Sequence, residues 1–122
     1  MVSFVGTRDI AAVAVAALRD GGHSGQTYEI TGAEALSYGE VAQKLTALLG
    51  QPIQYVALDD DAYRAALLSA GLPPWYADGL TALYRFYREG KGAAVTDVAA
   101  QVTGRPARTL DAYLAEHRTL FQ

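Results

Sequence analysis

The sequence from residue 26 to residue 58 reads QTYEITGAEALSYGEVAQKLTALLGQPIQYVAL, and it predicts a strand, a helix and a second strand. In residues 27–31, apolar Tyr28 and Ile30 alternate with polar side chains, which is the period of two expected of a pleated strand. Residues 53–58 form the second predicted strand. The segment is therefore a βαβ candidate, and the rest of the chain is interpreted around it.

The helix between these strands has sequence signals at both ends. Ser37 stands three residues before Glu40, as in a capping box, and Leu36 and Val41 occupy the positions of a hydrophobic staple. Gly50, with a proline two residues later, marks the end of the helix. One face carries the apolar side chains of Val41, Ala42, Leu45, Leu48 and Leu49.

Length and composition exclude several classes of protein. A chain of 122 residues fits a single domain, residues 1–122, that buries roughly two-thirds of its unfolded surface. Cysteine is absent, so disulfides, thiolate zinc sites and cysteine nucleophiles are excluded, and with two distant histidines we expect no metal site. A net charge of -3 without a basic stripe argues against nucleic-acid binding. The longest apolar run is about half of the ~20 residues that a membrane span needs, so we expect a cytoplasmic protein without membrane contact.

Further elements flank the βαβ candidate. Residues 2–5 predict a short strand, and Asp9 is the predicted N-cap of a helix that ends at Gly21. Its predicted apolar face comprises Ile10, Val13, Ala14, Ala17 and Leu18. Residues 59–61 are three aspartates, which we interpret as the cap of the next helix rather than as a metal cluster, because no second ligand group stands nearby. Thr96 and Thr109 are the predicted caps of two short C-terminal helices.

The helix that begins at Pro73-Pro74 is the aromatic one. A single predicted face carries Tyr76, Leu80, Leu83, Tyr84 and Tyr87, while Trp75 and Phe86 project elsewhere. A helix that is apolar on two sides either lies between layers or lines a cleft. This surface suits an apolar ligand or a partner.

Three patterns invite a catalytic interpretation, and each has a simpler one. The glycine-rich stretch 21–25 runs from a helix into a strand, the reverse of a phosphate loop, so we expect a solvent loop with His23 exposed in it. Tyr87 and Lys91 have the spacing of a reductase Tyr-x-x-x-Lys motif, but glycines at 90 and 92 break the helix that would hold the pair. His117 fits a packing role on the apolar face of the last helix. The residues themselves therefore define no catalytic set and no cofactor-binding motif.

The order of several motifs resembles the C-terminal half of NmrA-like proteins, which are atypical short-chain dehydrogenase relatives. The matching stretches are residues 8–11 with the alanine-rich helix after them, 25–32, 36–42, 71–73, 95–97 and 103–110. That family includes NAD(P)-binding reductases, quinone oxidoreductases and nicotinamide-sensing regulators. The resemblance implies an α/β fold that is mostly helical with a small, largely parallel sheet, forming the later portion of a Rossmann-type protein.

The resemblance also implies which functions to expect. The dinucleotide site of such proteins uses a glycine-rich loop after the first strand, and no such motif occurs in these 122 residues, so we expect NAD(P) in the full-length family but no cofactor bound by this chain alone. The expected role is the substrate-binding portion of an NAD(P)-dependent oxidoreductase, without catalysis on its own and with no catalytic residue assigned. The residues expected to line the substrate are Thr7, Arg8, Trp75, Tyr76, Tyr84 and Tyr87.

A second interpretation is a stand-alone, dimeric ligand-binding or regulatory module. The predicted strand Thr27 to Thr31 would lie beside Rossmann strands in the complete fold, and without them it presents an unpaired edge. Such an edge can pair with a second copy or with a separate Rossmann half. We therefore expect a homo-oligomer, formed through this edge.

Overall fold

A computed structural model describes residues 1–122 and shows a helical chain with one small sheet. Strand β1 is Val2–Ser3 and strand β2 is Ala35–Leu36, and they pair antiparallel with Val2 opposite Leu36. The prediction of a mostly helical fold with a small sheet is confirmed. The orientation is a correction, because this sheet is antiparallel and not largely parallel.

Helix α1, Thr7–Arg19, begins earlier than the sequence predicts. Its N-cap is Gly6, so Asp9 lies in the first turn and is not the cap. The Asp9 carboxylate instead accepts a hydrogen bond from the backbone N–H of Arg108, at 3.0 Å. Because that contact joins the two ends of the chain, sequence spacing could not reveal it.

Helix α2, Tyr38–Leu49, confirms the predicted capping box. The Ser37 hydroxyl accepts from the Glu40 N–H at 3.1 Å, and the Glu40 carboxylate accepts from the Ser37 N–H at 2.7 Å. Gly50 ends the helix in the left-handed conformation at φ 70°. Local sequence was sufficient here because every partner lies within four residues.

The two strands predicted on either side of α2 are absent. Residues 27–31 and 53–58 form no backbone–backbone hydrogen bonds, and the Glu29 carbonyl accepts only from a side chain, the Thr96 hydroxyl at 2.6 Å. A strand exists only when a neighbour completes its ladder, and these residues have none within the chain. The βαβ prediction is therefore wrong for this chain, and Leu36, predicted as a staple residue, is part of β2.

Helices α3, Asp60–Ser69, and α4, Pro74–Arg88, pack against each other. Asp59 caps α3 by accepting from the Ala62 N–H at 2.7 Å, which confirms the capping role of the aspartate run. Asp60 accepts hydrogen bonds from both Arg85 and Arg88 and so ties the two helices together. Pro74 occupies the first turn of α4, as predicted.

Helix α5, Val98–Thr103, packs on α1, and helix α6, Leu110–Glu116, packs on α2. Thr109 caps α6, as predicted, but Asp97 rather than Thr96 is the N-cap of α5. Thr96 instead anchors the preceding loop, since its N–H donates to the Thr31 hydroxyl at 2.8 Å. A short 3₁₀ turn, Arg118–Phe121, follows α6.

The core is small for a chain of this size. Only 11 of the 122 residues are buried, and none of the large side chains is fully enclosed. On α1 the structure buries Val13 and Ala16, while Ile10 and Leu18, predicted to face the core, are exposed. None of the helices is long and apolar enough to cross a membrane.

Candidate functional site

Two clefts are lined in part by residues 1–8. We call the first the arginine cleft: it has a volume of about 320 Å³, and it is lined by Phe4, Val5, Gly6, Thr7, Arg8, Arg108, Thr109, Leu110, Tyr113 and His117. The turn between β1 and α1 forms one side of it, and the loop that enters α6 forms the other. Residues from the two ends of the chain therefore build this cleft together.

Two arginines in the arginine cleft share one carboxylate. Arg8 and Arg108 each donate a hydrogen bond to Glu116, one to each carboxylate oxygen. The hydrogen bonds from Arg108 and then Arg8 lower the pKa of Glu116 below its ordinary value. Neither Glu116 nor Asp9 lines the cleft, so the charged groups on its wall are the two guanidinium groups.

An aromatic pair forms part of the lining of the arginine cleft. The rings of Tyr113 and His117 stack with their centroids 4.3 Å apart. His117 Nδ1 donates to the Tyr113 carbonyl at 2.9 Å, because a carbonyl oxygen can only accept. The Nε2 atom of His117 makes no hydrogen bond within the chain. His117 is thus both a packing residue, as predicted, and part of a cleft wall.

The second cleft, which we call the tyrosine cleft, has a volume of about 400 Å³. Its lining residues are Met1, Val2, Ser37, Tyr38, Gly39, Tyr55, Tyr84, Tyr87 and Arg88. Tyr38 is the centre of its aromatic cluster. The Tyr55 ring stacks on Tyr38 with centroids 5.7 Å apart and planes 25° apart, and the Tyr84 ring lies 6.0 Å away.

The surroundings of Tyr38 keep its phenol neutral. Burial, followed by the neighbouring Tyr84 and Tyr87, raises the pKa of Tyr38 to about 12. Burial and Tyr84 also raise the pKa of Tyr63, whose ring meets Tyr84 edge to face at 5.2 Å. Tyr38 therefore contributes to the aromatic wall of the cleft with a hydroxyl group that can donate a hydrogen bond, and it does not act as a phenolate base.

The two clefts meet at Phe4. Its ring packs edge to face on Tyr38 with centroids 5.8 Å apart, and Phe4 also lines the arginine cleft. Behind Phe4, the backbone of Gly32 approaches so closely that a Cβ there would overlap the Phe4 carbonyl group. Gly32 and the neighbouring hydrogen bonds of Thr31 thus position the wall that the two clefts share.

The predicted substrate-lining residues fall into three groups. Thr7 and Arg8 line the arginine cleft, and Tyr84 and Tyr87 line the tyrosine cleft. Trp75 and Tyr76 contact each other in the first turn of α4 and line neither cleft. Trp75 is 73% exposed and Tyr76 is 42% exposed. The structure does not bring all six residues to one surface.

Several cleft residues were not predicted from the sequence. The sequence predicts Tyr38 only as part of a helix start and Tyr55 only as part of a strand. Arg108 and Tyr113 reach the arginine cleft because α6 returns to the N-terminal end of α1, a contact between residues about a hundred positions apart. The tyrosine content of the chain, eight residues, was the one signal that could have drawn attention to an aromatic cluster.

The two local patterns that we set aside have plain structural explanations. His23 is half-buried rather than exposed, and its Nδ1 lies 2.7 Å from the Tyr28 hydroxyl, so it anchors the loop before residue 27. Lys91 pairs with Glu89, and its amino group lies 5.7 Å from the centre of the Phe86 ring rather than beside Tyr87. Neither residue forms part of a cleft described above.

The residues present do not fit the phosphates of a dinucleotide cofactor at the glycine-rich stretch. Gly22 and Gly25 have positive φ values, but the loop follows the C-terminal end of α1. Helix C-termini present carbonyl oxygens and the negative end of the dipole, which disfavour a phosphate. Strands β1 and β2 each lead into a helix, but the first turn contains a single glycine, Gly6, and the second contains none, so neither has the glycine-rich motif of a Rossmann site.

Comparison with known proteins shows that this chain is similar to one part of NAD(P)H-dependent reductases, whose solved structures have a Rossmann-type fold. It is 42% identical to an NAD(P)H azoreductase of Xenophilus azovorans over 120 residues, which are 98% of this chain and 42% of the relative. It is 40% identical to a (4-alkanoyl-5-oxo-2,5-dihydrofuran-3-yl)methyl phosphate reductase of Streptomyces griseus over the same shares. No protein-family model matches the chain.

A solved structure gives the same picture at the level of the fold. An NADPH-dependent quinone oxidoreductase from Escherichia coli, in complex with NADPH, superposes with a TM-score of 0.89 at 28% identity. The superposition covers 99% of this chain and 42% of the oxidoreductase. The chain thus spans about two-fifths of the length of the relatives it matches.

Proposed function

We propose that this chain is the substrate-binding, C-terminal portion of an NmrA-like NAD(P)H-dependent oxidoreductase, and that it is not catalytic alone. The observation that carries the proposal is the asymmetric match, with 98% of this chain aligned to 42% of a reductase at 42% identity. The dinucleotide-binding portion of such a protein has no counterpart among residues 1–122, where the required glycine loop is missing.

The large exposed surface of the chain supports the proposal that the chain contacts another folded unit. A compact monomer of this mass, 13.0 kDa, exposes about 6,300 Å², whereas this chain exposes 8094 Å². The excess of about 1,800 Å² is roughly twice what one partner buries in a standard protein–protein interface. Exposed apolar side chains such as Leu18, Val56 and Leu120 account for part of it. A surface of this size and character suits permanent contact with another folded unit.

The two segments without backbone partners support a docking position for the other folded unit. Residues 27–31 and 54–58 leave most of their backbone N–H and C=O groups without partners in the chain. Neighbouring strands of a Rossmann sheet would satisfy these groups and would convert both segments into the strands that their sequence predicts. Under this proposal, the sequence pattern is correct for the complete protein, and the missing neighbour explains the difference.

The tyrosine cleft suits a flat, conjugated electron acceptor. Tyr38 and Tyr55 form a stacked pair beside Tyr84 and Tyr87, and aromatic faces bind planar apolar rings well. The relatives act, by name, on azo compounds and quinones, and both are planar conjugated acceptors. We therefore place the substrate ring against these tyrosines, while Trp75 and Tyr76 lie outside the contact.

The enzymatic proposal is tested by supplying the missing half. The purified chain is assayed for NADPH oxidation with a quinone or an azo dye, alone and then joined to the portion of the azoreductase that it does not match. We expect no turnover and no tight NADPH binding by the chain alone, and turnover in the joined protein. Micromolar NADPH affinity of the isolated chain, measured by fluorescence titration, would contradict the assignment of the cofactor site to the other half.

A pair of variants in the joined protein tests the substrate surface. Tyr55→Leu removes the exposed ring that stacks on Tyr38, and we expect it to raise the KM for the acceptor with little change in the KM for NADPH. Trp75→Leu is the matched control, because Trp75 is an exposed aromatic residue that lines neither cleft. Equal effects of the two substitutions would refute the placement of the acceptor.

The second candidate function is a stand-alone, dimeric ligand-binding or regulatory module. The unpaired segment 27–31 favours it, because the same segment of a second copy can complete its ladder. Light scattering across a concentration series tests this candidate, with Glu29→Pro as a variant that weakens edge pairing. A monomer at high protein concentration would eliminate the dimer.

A further inference from the structure

The arginine cleft has the composition of a site for an acidic group. The two charged side chains on its wall, Arg8 and Arg108, are both cationic, and the carboxylates nearest to them, Glu116 and Asp9, lie outside the lining. A guanidinium carries five N–H donors in a planar fork that matches the oxygens of a carboxylate, phosphate or sulfonate. Each of these two guanidinium groups uses donors on Glu116 alone.

The contacts of Glu116 show that the two arginines can bind one carboxylate together. Its two oxygens accept one hydrogen bond each, from Arg8 and from Arg108, so the two cations are already arranged around one carboxylate. Glu116 neutralises one of the two positive charges, and the nearby Asp9 carboxylate, which accepts from the Arg108 backbone N–H, forms no ion pair with either guanidinium group. Because the Arg8 and Glu116 side chains are 68% and 37% exposed, exchange of the internal carboxylate for a ligand requires little rearrangement.

The backbone of the turn adds donors of the same kind. The N–H groups of Thr7 and Arg8 have no acceptor within the chain, because Gly6, the N-cap, has no side chain to accept from them. The positive end of the α1 dipole adds to the attraction for an anion. The Asp9 carboxylate does not accept from these two N–H groups, because it accepts from the backbone N–H of Arg108 instead.

The rest of the lining can accept an apolar body. Phe4, Leu110 and Tyr113 line the cleft together with His117, whose ring stacks on Tyr113. A volume of about 320 Å³ suits a small group. The lining therefore matches an acid attached to a ring or to a short hydrocarbon chain better than it matches a free inorganic ion.

We infer that the arginine cleft binds the acidic group of the acceptor substrate, a phosphate, sulfonate or carboxylate carried on an apolar body. This rests on the proposed function only for the statement that the ligand is the acceptor. The other source of the same chemistry is a phosphate of the cofactor, and the two sources are separated by the choice of probe.

The test uses binding to the chain itself, so that it does not depend on turnover. Backbone amide NMR spectra are recorded during titration with phenyl phosphate, with benzyl alcohol as the uncharged analogue, and with NADP⁺. We expect phenyl phosphate to shift the amides of Thr7, Arg8 and Thr109, and we expect benzyl alcohol to leave the first two unchanged. Shifts of the same amides by NADP⁺ with tighter binding than phenyl phosphate would overturn the assignment to the acceptor.

Variants distinguish a specific anion-binding site from nonspecific attraction of an anion to positive charge. Arg108→Gln should weaken phenyl phosphate binding by about tenfold or more, as expected for the loss of a charge-assisted hydrogen bond. Glu116→Gln should strengthen it, because it removes the internal carboxylate that competes for both arginines. Arg19→Gln is the matched control, since Arg19 pairs only with the adjacent Asp20 and lies outside the cleft.

The direction of the Glu116→Gln effect decides the question. If Glu116 served only to hold the fold, its replacement would weaken binding or unfold the chain, and far-UV circular dichroism would reveal the latter. Unchanged or weaker binding by a folded Glu116→Gln chain, or equal losses for Arg108→Gln and Arg19→Gln, would refute the site. Neither outcome would affect the turnover assay of the joined protein.

Discussion

Replacement of Gly32 by alanine is expected to destabilise the chain strongly. Gly32 is buried against the main chain of Phe4, and an added Cβ would lie 2.7 Å from the Phe4 carbonyl carbon and would overlap its oxygen. The obstacle is backbone, which cannot rotate away as a flexible side chain can. Residues 31–32 or β1 must therefore move.

The structure allows the cost to be estimated. Overpacking of a tight site costs roughly 1–3 kcal/mol, and a backbone obstacle favours the upper part of that range. Displacement of Gly32 also disturbs the adjacent Thr31 hydroxyl, which accepts the Thr96 N–H at 2.8 Å, and a hydrogen bond of this kind contributes about 1 kcal/mol. We expect a total loss of about 3 kcal/mol, a large fraction of the roughly 5–15 kcal/mol typical of folded domains.

Urea unfolding followed by circular dichroism measures this loss. Gly79→Ala is the matched control, because Gly79 lies inside α4 and a Cβ there meets no atom within 4 Å. It should stabilise the chain by up to about 1 kcal/mol through higher helix propensity. The close packing of Phe4 on Gly32 is wrong if the free energy of unfolding of Gly32→Ala lies within about 0.5 kcal/mol of that of the original chain while Gly79→Ala shows its gain.

Three further outcomes are expected. Ser37→Ala should lower the free energy of unfolding by about 1 kcal/mol through loss of the α2 capping box, and equal urea midpoints for the two chains would contradict the role of the box. Thr31→Val should cost about 1–3 kcal/mol, because it leaves the Thr96 N–H without its acceptor, whereas Thr31→Ser keeps the hydroxyl and serves as the control in the same unfolding assay. Because the folded state raises the pKa of Tyr38 to about 12, it favours the neutral phenol, so this contribution to stability is complete below the unfolded value of about 10 and is lost as pH rises from there. An ultraviolet titration should show that Tyr38→Phe lacks one late-ionising tyrosine of the original chain, in which the pKa of Tyr63 is raised as well. If the two titration curves differed only by a tyrosine that ionises near the ordinary pKa of about 10, the assignment would be refuted.

The sequence by itself determined the features whose partners are close along the chain. The capping box at Ser37, the caps at Asp59 and Thr109, the proline start of α4 and the glycine stop at Gly50 all depend on contacts within a few residues. Local geometry and propensity are sufficient for such contacts. These signals also predict the mostly helical character of the fold, whereas the resemblance to NmrA-like proteins depends on the order of several longer motifs.

Tertiary structure alone decided the sheet and the clefts. Residues 27–31 have the alternation of a strand but no neighbour to complete a ladder, while Ala35–Leu36, which gave no strand signal, pairs with Val2–Ser3. The arginine cleft exists because Arg8 and Arg108 meet at Glu116, and the tyrosine cleft exists because Tyr38 meets Tyr84. Hydrogen-bonded ladders and converging side chains depend on which distant segments become neighbours, and local periodicity carries no information about that choice.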